Sequence, residues 1–310
     1  MKCLHPISVK VCKEGNKLNP YLVQPPIYRL MPCGKCVACR MRRAMQWGFR
    51  LEQEWKVASN AFFVTITYAP ENLPQNYQLA KDDYLKFVKD VSMAIRRYCD
   101  LKGIKFNFRY LGIGEYGFEK GRPHYHFIWF NVPNFFFDMV GSKWKILAEQ
   151  FIERRFWPKG FVDLDSLSYK RIMYVSKYVV KAEDFDGSKV KPFLTCSKRP
   201  FIGHSYLNTK VIAYHRKAKD FLVRNDSGYW LGLPRVYWPY IWNKYELWYH
   251  SAEMLRLEQE REESVEFFRD GEAVNPYNGF TDTEIKEIER LFRKKQYEKH
   301  MRRKHFRGIS

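Results

Sequence analysis

The sequence predicts an α+β fold, a central antiparallel sheet flanked by helices, and three observations carry that reading. Residues 62–68 set Thr65 and Thr67 on one face and Val64 and Ile66 on the other, the two-residue period of a strand. Residues 81–98 place Tyr84, Phe87, Val88, Val91, Ala94, Ile95 and Tyr98 at helical spacing, opening on Asp82 and Asp83 where the helix dipole favours acids. Two strand-like runs, at 105–116 and 123–131, then follow each other before helical patterns resume.

The remaining elements fall into place around these. The first thirty residues, with Pro6, Pro20, Pro25 and Pro26, read as an irregular arm. From Cys36 to Ala58, Val37, Met41, Ala44, Leu51 and Trp55 recur at helical spacing among Arg40, Arg42, Arg43 and Arg50, a basic helix. A helix at 142–156, a short strand at 160–164 and a helix at 168–182 follow the paired strands. Beyond 220 come an aromatic-rich stretch at 229–249, a charged one at 251–270, and a helix from 281 with a capping box of Thr281 and Glu284. Its tail, Arg293–Arg307, reads equally as a nucleic-acid arm or a disordered end. Three parts result: 1–58, a cysteine-containing arm and basic helix; 59–220, the α+β domain; and 221–310, an extension ending in helix.

A chain of 310 residues buries one sizeable core, and 54 Lys and Arg against 34 Asp and Glu leave a net charge of +20. Such a charge opposes compaction unless a polyanion sits nearby, and nucleic acid is the obvious one. Aromatics at 17% supply stacking platforms for unpaired bases as well as core. No secretory leader and no apolar run of about eighteen residues occurs, so a soluble cytoplasmic protein without membrane contact is expected. Seven cysteines, an odd number with three clustered, suit a reducing compartment. No Gly-x4-Gly-Lys-Ser/Thr loop is present, which predicts no nucleotide cofactor, no ATPase and no helicase, and leaves unwinding to a host helicase.

Two motifs carry chemistry. On the strand at 123–131, His124 and His126 project from one face at the spacing that grips a divalent metal. Glu115 lies nine residues earlier, and a hairpin brings it alongside as a third ligand. A carboxylate with two imidazoles suits Mg²⁺ or Mn²⁺ and leaves positions open for phosphate oxygens. On the helix at 168–182, Tyr174, Tyr178 and Lys181 share a face at i, i+4 and i+7, beside Arg171 and Lys177. Paired tyrosine nucleophiles beside a metal-polarised phosphate imply strand breakage and rejoining through a phosphotyrosine bond. The alternative for the tyrosines is packing with Ile172, Val175 and Val179; for the histidines, a solvated strand face or a binding module's zinc site. Tyr125, between the histidines, is a third tyrosine near the metal. A separate run, Cys33-x2-Cys36-x2-Cys39, fits zinc with Cys3, Cys12 or His5 as fourth ligand, against three thiols without metal at a helix start.

Over residues 30–205 these motifs resemble the replication initiation proteins of small single-stranded DNA phages, most closely those of gokushovirus-type microviruses, within the HUH endonuclease superfamily. The matching segments are Cys33-Gly-Lys-Cys36-Val-Ala-Cys39-Arg40, Phe63-Val-Thr65-Ile-Thr67-Tyr68, His124-Tyr125-His126, Tyr174 to Lys181, and Ser197-Lys-Arg199-Pro-Phe-Ile-Gly203. The resemblance implies a five-stranded sheet in a circularly permuted ferredoxin-like arrangement, and nicking at the replication origin. One tyrosine would keep the 5′ end and free a 3′-OH for rolling-circle synthesis by a host polymerase, and the second would cut the regenerated origin. A non-catalytic single-stranded DNA-binding or packaging protein using charge and aromatics alone remains an alternative, as does a hydrolytic metal-dependent nuclease.

Overall fold

The computed structural model describes residues 5, 7–10, 28–117, 121–133, 144–181, 189–218, 221–226, 228, 230–243, 246–247, 267–269 and 272–274. In chain order these form β1 (Ile7–Lys10), β2 (Tyr28–Met31), α1 (Val37–Val57), β3 (Ala61–Tyr68), α2 (Lys81–Lys102), β4 (Arg109–Tyr116), β5 (Pro123–Phe130), α3 (Trp144–Phe156), β6 (Gly160–Ser166), α4 (Tyr169–Lys181), β7 (Phe193–Cys196), α5 (Thr209–Ala218), β8 (Leu222–Arg224), β9 (Trp230–Gly232) and the single turn α6 (Trp238–Ile241). They belong to a compact unit spanning Met1–Leu247; in a second unit, Trp248–Ser310, the described residues form a hairpin of β10 (Phe267–Arg269) and β11 (Glu272–Val274).

Five strands make one sheet in the order β6-β3-β5-β4-β7, every neighbouring pair antiparallel. The period of two divides its side chains into separate cores. Val64, Ile66, Tyr125, Phe127, Trp129, Val162 and Leu164 point to one face, where Tyr84, Phe87, Val91 and Ile95 of α2 and Ala148 and Ile152 of α3 cover them. Phe63, Leu111, Ile113, Ile128 and Phe130 point to the other, under Leu51 of α1 and Ile172 and Val175 of α4. A side chain as deeply buried as Leu51 or Ile172 contributes about 1.5–3 kcal/mol of transfer free energy.

Helix α1 can lie against α4 because Gly48 leaves room for it; a Cβ there would stand 3.0 Å from the Met173 sulfur. On its far side Phe49 joins a third core with Phe201, Val223, Leu231, Tyr237, Ile241 and Trp242. Glu54 of α1 is buried in an ion pair with Arg109 and accepts the Gly203 backbone N–H at 2.7 Å, so the helix that reads as basic turns a carboxylate inward. Both charges have hydrogen-bonded partners, the condition under which such burial is tolerated.

Several elements differ from the pattern in the sequence. The first thirty residues are not wholly irregular, since β1 and β2 pair antiparallel, Ile7 opposite Met31. Strand β4 starts at Arg109 rather than 105, and α2 runs on to Lys102, where Gly103 at φ +63° stops it in a left-handed cap. Strand β7, the fifth of the sheet, has no signal in the local pattern, nor do α5, β8 and β9. The helix expected from 281 and the basic tail at 293–307 lie outside the described residues.

At Gly112, mid-strand in β4, a Cβ would stand 2.6 Å from the Phe127 ring and closer still to the Tyr84 hydroxyl, which itself bonds Thr195 Oγ1 at 2.6 Å. Gly112→Ala is expected to destabilise the unit by about 1–3 kcal/mol, seen as a lower denaturation midpoint in urea.

Candidate active site

The site lies where the α4-covered face of the sheet turns from apolar to polar along three neighbouring strands. In β4 the same-face series runs Leu111, Ile113, Glu115; in β5 it runs Phe130, Ile128, His126, His124; in β3 it runs Phe63, Thr65, Thr67. Register sets Glu115 opposite His124, Thr65 opposite His126 and Thr67 opposite His124. The polar ends of the three strands therefore meet at one level, beside a core that excludes water below them.

Glu115 is 2% exposed, and its Oε1 stands 3.0 Å from His124 Nε2 and 2.9 Å from His126 Nε2. The three side chains offer ligand atoms that all lie within 4.8 Å of one another. Each imidazole is held from behind: His124 Nδ1 donates to the Arg122 carbonyl at 3.2 Å, and His126 Nδ1 meets the Thr65 hydroxyl at 2.9 Å. Because a carbonyl only accepts, the His124 proton is assigned to Nδ1, and in the neutral ring Nε2 presents a lone pair toward a carboxylate oxygen. Two acceptors facing at 3.0 Å require a proton or a cation between them. Consistent with that, Glu115 Oε2 and His126 Nε2 are buried without a hydrogen-bond partner.

The electrostatics agree with this geometry. Burial pushes the Glu115 carboxyl up, but its hydrogen bonds to His124 and His126 outweigh burial and leave it below the ordinary value. Burial lowers the His126 pKa, Glu115 opposing, so the imidazole favours the neutral form that ligates metal.

Helix α4 delivers the tyrosines. Ile172 and Val175 anchor it in the core, and the adjoining stripe turns Tyr174 and Tyr178 toward the sheet's polar end, their ring centroids 4.6 Å apart. The Tyr174 hydroxyl donates to Glu115 Oε1 at 2.9 Å, and its ring meets His126 edge-on at 5.4 Å. Phe63 stacks on the His126 ring at 5.2 Å and fixes its plane. Both phenols are pushed above their ordinary pKa: Tyr174 by burial, then by its hydrogen bond to Tyr178 and the Glu115 charge, and Tyr178 chiefly by burial.

Five of the sequence-predicted residues thus come together: Glu115, His124, His126, Tyr174 and Tyr178. Lys181 ends α4, with its side chain outside the described residues. Arg171 does not reach toward the tyrosines' hydroxyls as free charge; it pairs with Asp165, donates to the Ser166 carbonyl at 2.8 Å and sits over Phe63. Tyr125 is no third tyrosine of the site. It points to the opposite face, fully buried, its hydroxyl bonded to the Ala80 backbone N–H and carbonyl at 2.9 Å, and burial pushes its pKa up to about 12. Thr65 is the site residue that sequence reasoning left without a role, although its place on the histidine-facing side of a neighbouring strand was the available signal. Cys33, Cys36 and Cys39 gather elsewhere, at the start of α1, while Cys3 and Cys12 lie outside the described residues.

Comparison with known proteins agrees with this layout. The family model for the replication-associated protein ORF2 matches residues 61–183, from β3 past the tyrosine helix. The replication-associated protein ORF2 of Spiroplasma virus 4 is 31% identical over 256 residues, covering 74% of this chain and 76% of its own. The replication-associated protein VP4 of Bdellovibrio phage phiMH2K is 25% identical over 224 residues, 67% of each chain. Among solved structures, the N-terminal nuclease domain of minute virus of mice non-structural protein 1 aligns over 61% of this chain and 88% of its own at 11% identity, with a TM-score of 0.20, too slight a likeness to bear on the fold.

Proposed function

The chain belongs to the replication-associated protein ORF2 family of small single-stranded DNA phages, and on that premise we propose that it is a metal-dependent endonuclease and strand transferase. It opens and closes rolling-circle replication of a circular phage genome through a 5′-phosphotyrosine bond, acting on single-stranded DNA at the origin in the bacterial host cytoplasm. The observation that carries the reading is the Tyr174 hydroxyl 2.9 Å from the carboxylate that also faces both histidines, which couples a nucleophile to a metal-type donor set. The catalytic domain is assigned to 59–220, with host helicase and polymerase supplying unwinding and synthesis. No helix among the described residues is long and apolar enough to cross a membrane.

Glu115, His124 and His126 fit a divalent cation on chemical grounds: one anionic and two neutral donors converge, and two of their buried polar atoms have no other partner. Mg²⁺ or Mn²⁺ bound there supplies Lewis-acid polarisation of the scissile phosphate. Tyr174 and Tyr178 provide the nucleophiles. A phenolic oxygen bonds to phosphorus, the P–O3′ bond breaks, and the departing 3′-oxygen takes up a proton to become a 3′-OH. Burial and the Glu115 charge keep both phenols protonated until substrate arrives, which suppresses reaction in the resting protein. Lys181, at the end of the same helix face, is assigned to the phosphate by its charge.

Thr65 acts through His126 as a positioning residue. Thr65→Val removes the hydroxyl that orients Nδ1, and is expected to weaken Mn²⁺ affinity about 10–100-fold in a calorimetric titration while leaving the fold intact.

The ends of the cut strand test the reaction itself. After incubation with origin fragments and Mn²⁺, the new 3′ end should prime a polymerase, and the new 5′ end should stay blocked to phosphatase and kinase until the protein is digested away. A free 5′-phosphate would instead assign a hydrolytic nuclease.

A further inference from the structure

We propose that Cys33, Cys36 and Cys39 hold a structural zinc ion at the start of α1, a site separate from the carboxylate–histidine cluster and independent of the nicking mechanism. The three Sγ atoms lie within 4.8 Å of one another. A tetrahedral zinc with Zn–S bonds of about 2.3 Å needs sulfurs about 3.8 Å apart, a separation that small side-chain rotations reach from here. Thiolates that each bind a different iron of a cluster must stand farther apart, and the fourth cysteine expected of a ferredoxin-type run does not follow in sequence.

The backbone is shaped as thiolate ligation requires. Gly34 takes φ +77°, a left-handed turn that lets the chain fold back between the first two cysteines. The Cys36 N–H donates to Cys33 Sγ at 3.3 Å, a hydrogen bond that favours the charged sulfur. Cys36 is the N-cap of α1 and makes no side-chain cap bond, and Cys39 is buried in the first turn, where the helix dipole stabilises negative charge. The first turn has no acidic residue, and Lys35 and Arg40 stand beside the cysteines in sequence. Both facts lower the cost of assembling three thiolates.

The described residues give three donors, and the fourth is assigned to His5. The β1–β2 register pairs Ile7 with Met31, and continuing it by two residues sets His5 opposite Cys33. Its imidazole is exposed and outside the cysteine cluster, so it has to swing inward to ligate. Zinc so bound would tie the β1–β2 hairpin to the head of α1, whose other end packs against the tyrosine helix.

The experiment uses the full chain, purified under reducing conditions with both histidines of the other cluster replaced, His124→Ala/His126→Ala, so that only the cysteine site is counted. About one equivalent of zinc should survive dialysis against a weak chelator, and Co²⁺ exchanged into the site should show thiolate-to-cobalt charge transfer and the intense visible bands of a tetrahedral centre. Cys36→Ser should lose both. If that variant fails to fold, the cobalt spectrum of the otherwise unaltered chain still decides. Absence of zinc with six-coordinate cobalt bands, bound iron with sulfide, or a Cys33–Cys36 disulfide formed in preference to metal would each overturn the site. An unchanged cobalt spectrum in His5→Ala would overturn the assignment of the fourth ligand.

Discussion

Tyr174→Phe/Tyr178→Phe is expected to abolish covalent capture of DNA, reducing strand cleavage about 10⁴-fold or more while leaving DNA binding nearly unchanged. The size follows from the nucleophile's role: with both phenolic oxygens gone, neither side chain near Glu115 can form the O–P bond, and what remains is water beside a polarised phosphate. Folding should survive, because phenylalanine keeps each ring, and Ile172 and Val175 rather than the tyrosine hydroxyls anchor the helix. The hydroxyl of Tyr174 does donate one hydrogen bond to Glu115, and losing it costs on the order of 1 kcal/mol, small beside the catalytic loss. Adduct formation on a denaturing gel and binding by fluorescence anisotropy separate the two effects. Each single substitution should retain one adduct-forming tyrosine and lose the coupled second cut, because the two rings sit 4.6 Å apart on one helix face before one metal site.

The second large effect belongs to the donor set. Glu115→Gln and His126→Ala are each expected to weaken Mn²⁺ binding by more than about 100-fold, beyond the loss from an outer partner such as Thr65. Cleavage should fall in parallel. Glu115 supplies the only negative charge among the three donors, and the neutral imidazoles of His124 and His126 alone hold a hard cation weakly. Glutamine preserves volume, so the fold should remain, and isothermal titration with Mn²⁺ reads the change directly. Raising Mn²⁺ concentration should restore part of the cleavage in His126→Ala and none in the double tyrosine variant, which distinguishes a lost ligand from a lost nucleophile.

Much of this site was legible because it rests on the two simplest periodicities. A spacing of two put His124 and His126 on one strand face, and spacings of four and seven put Tyr174, Tyr178 and Lys181 on one helix face. Glu115 was legible because the hairpin linking β4 to β5 is short, and pairing brings it directly across from His124. The same alternation assigns Tyr125 to the opposite face, into the core with Tyr68 and Tyr84. Sequence proximity to the histidines is therefore a poor guide to its role. The features that escaped notice depend on partners far along the chain. Strand β7 has four residues, too few to display alternation, and exists because β4 offers it an edge about eighty residues earlier. Strand β1 is equally short and finds β2 only across an intervening segment. The inward turn of Glu54 depends on Arg109 and the Gly203 N–H, neither of which is local to α1. Composition marks the changes at 58 and 220, whereas packing joins α1 to residues on both sides of 220.

Covalent capture is the most direct test of phosphotyrosine strand transfer. The protein is incubated with labelled single-stranded fragments tiling the genome that it replicates, with Mn²⁺, Mg²⁺ or EDTA, and resolved on a denaturing gel. The predicted result is a shifted band from one fragment that requires metal and disappears in Tyr174→Phe/Tyr178→Phe and in His124→Ala. Cleavage without an adduct, or binding to every fragment with no cleavage, would contradict it.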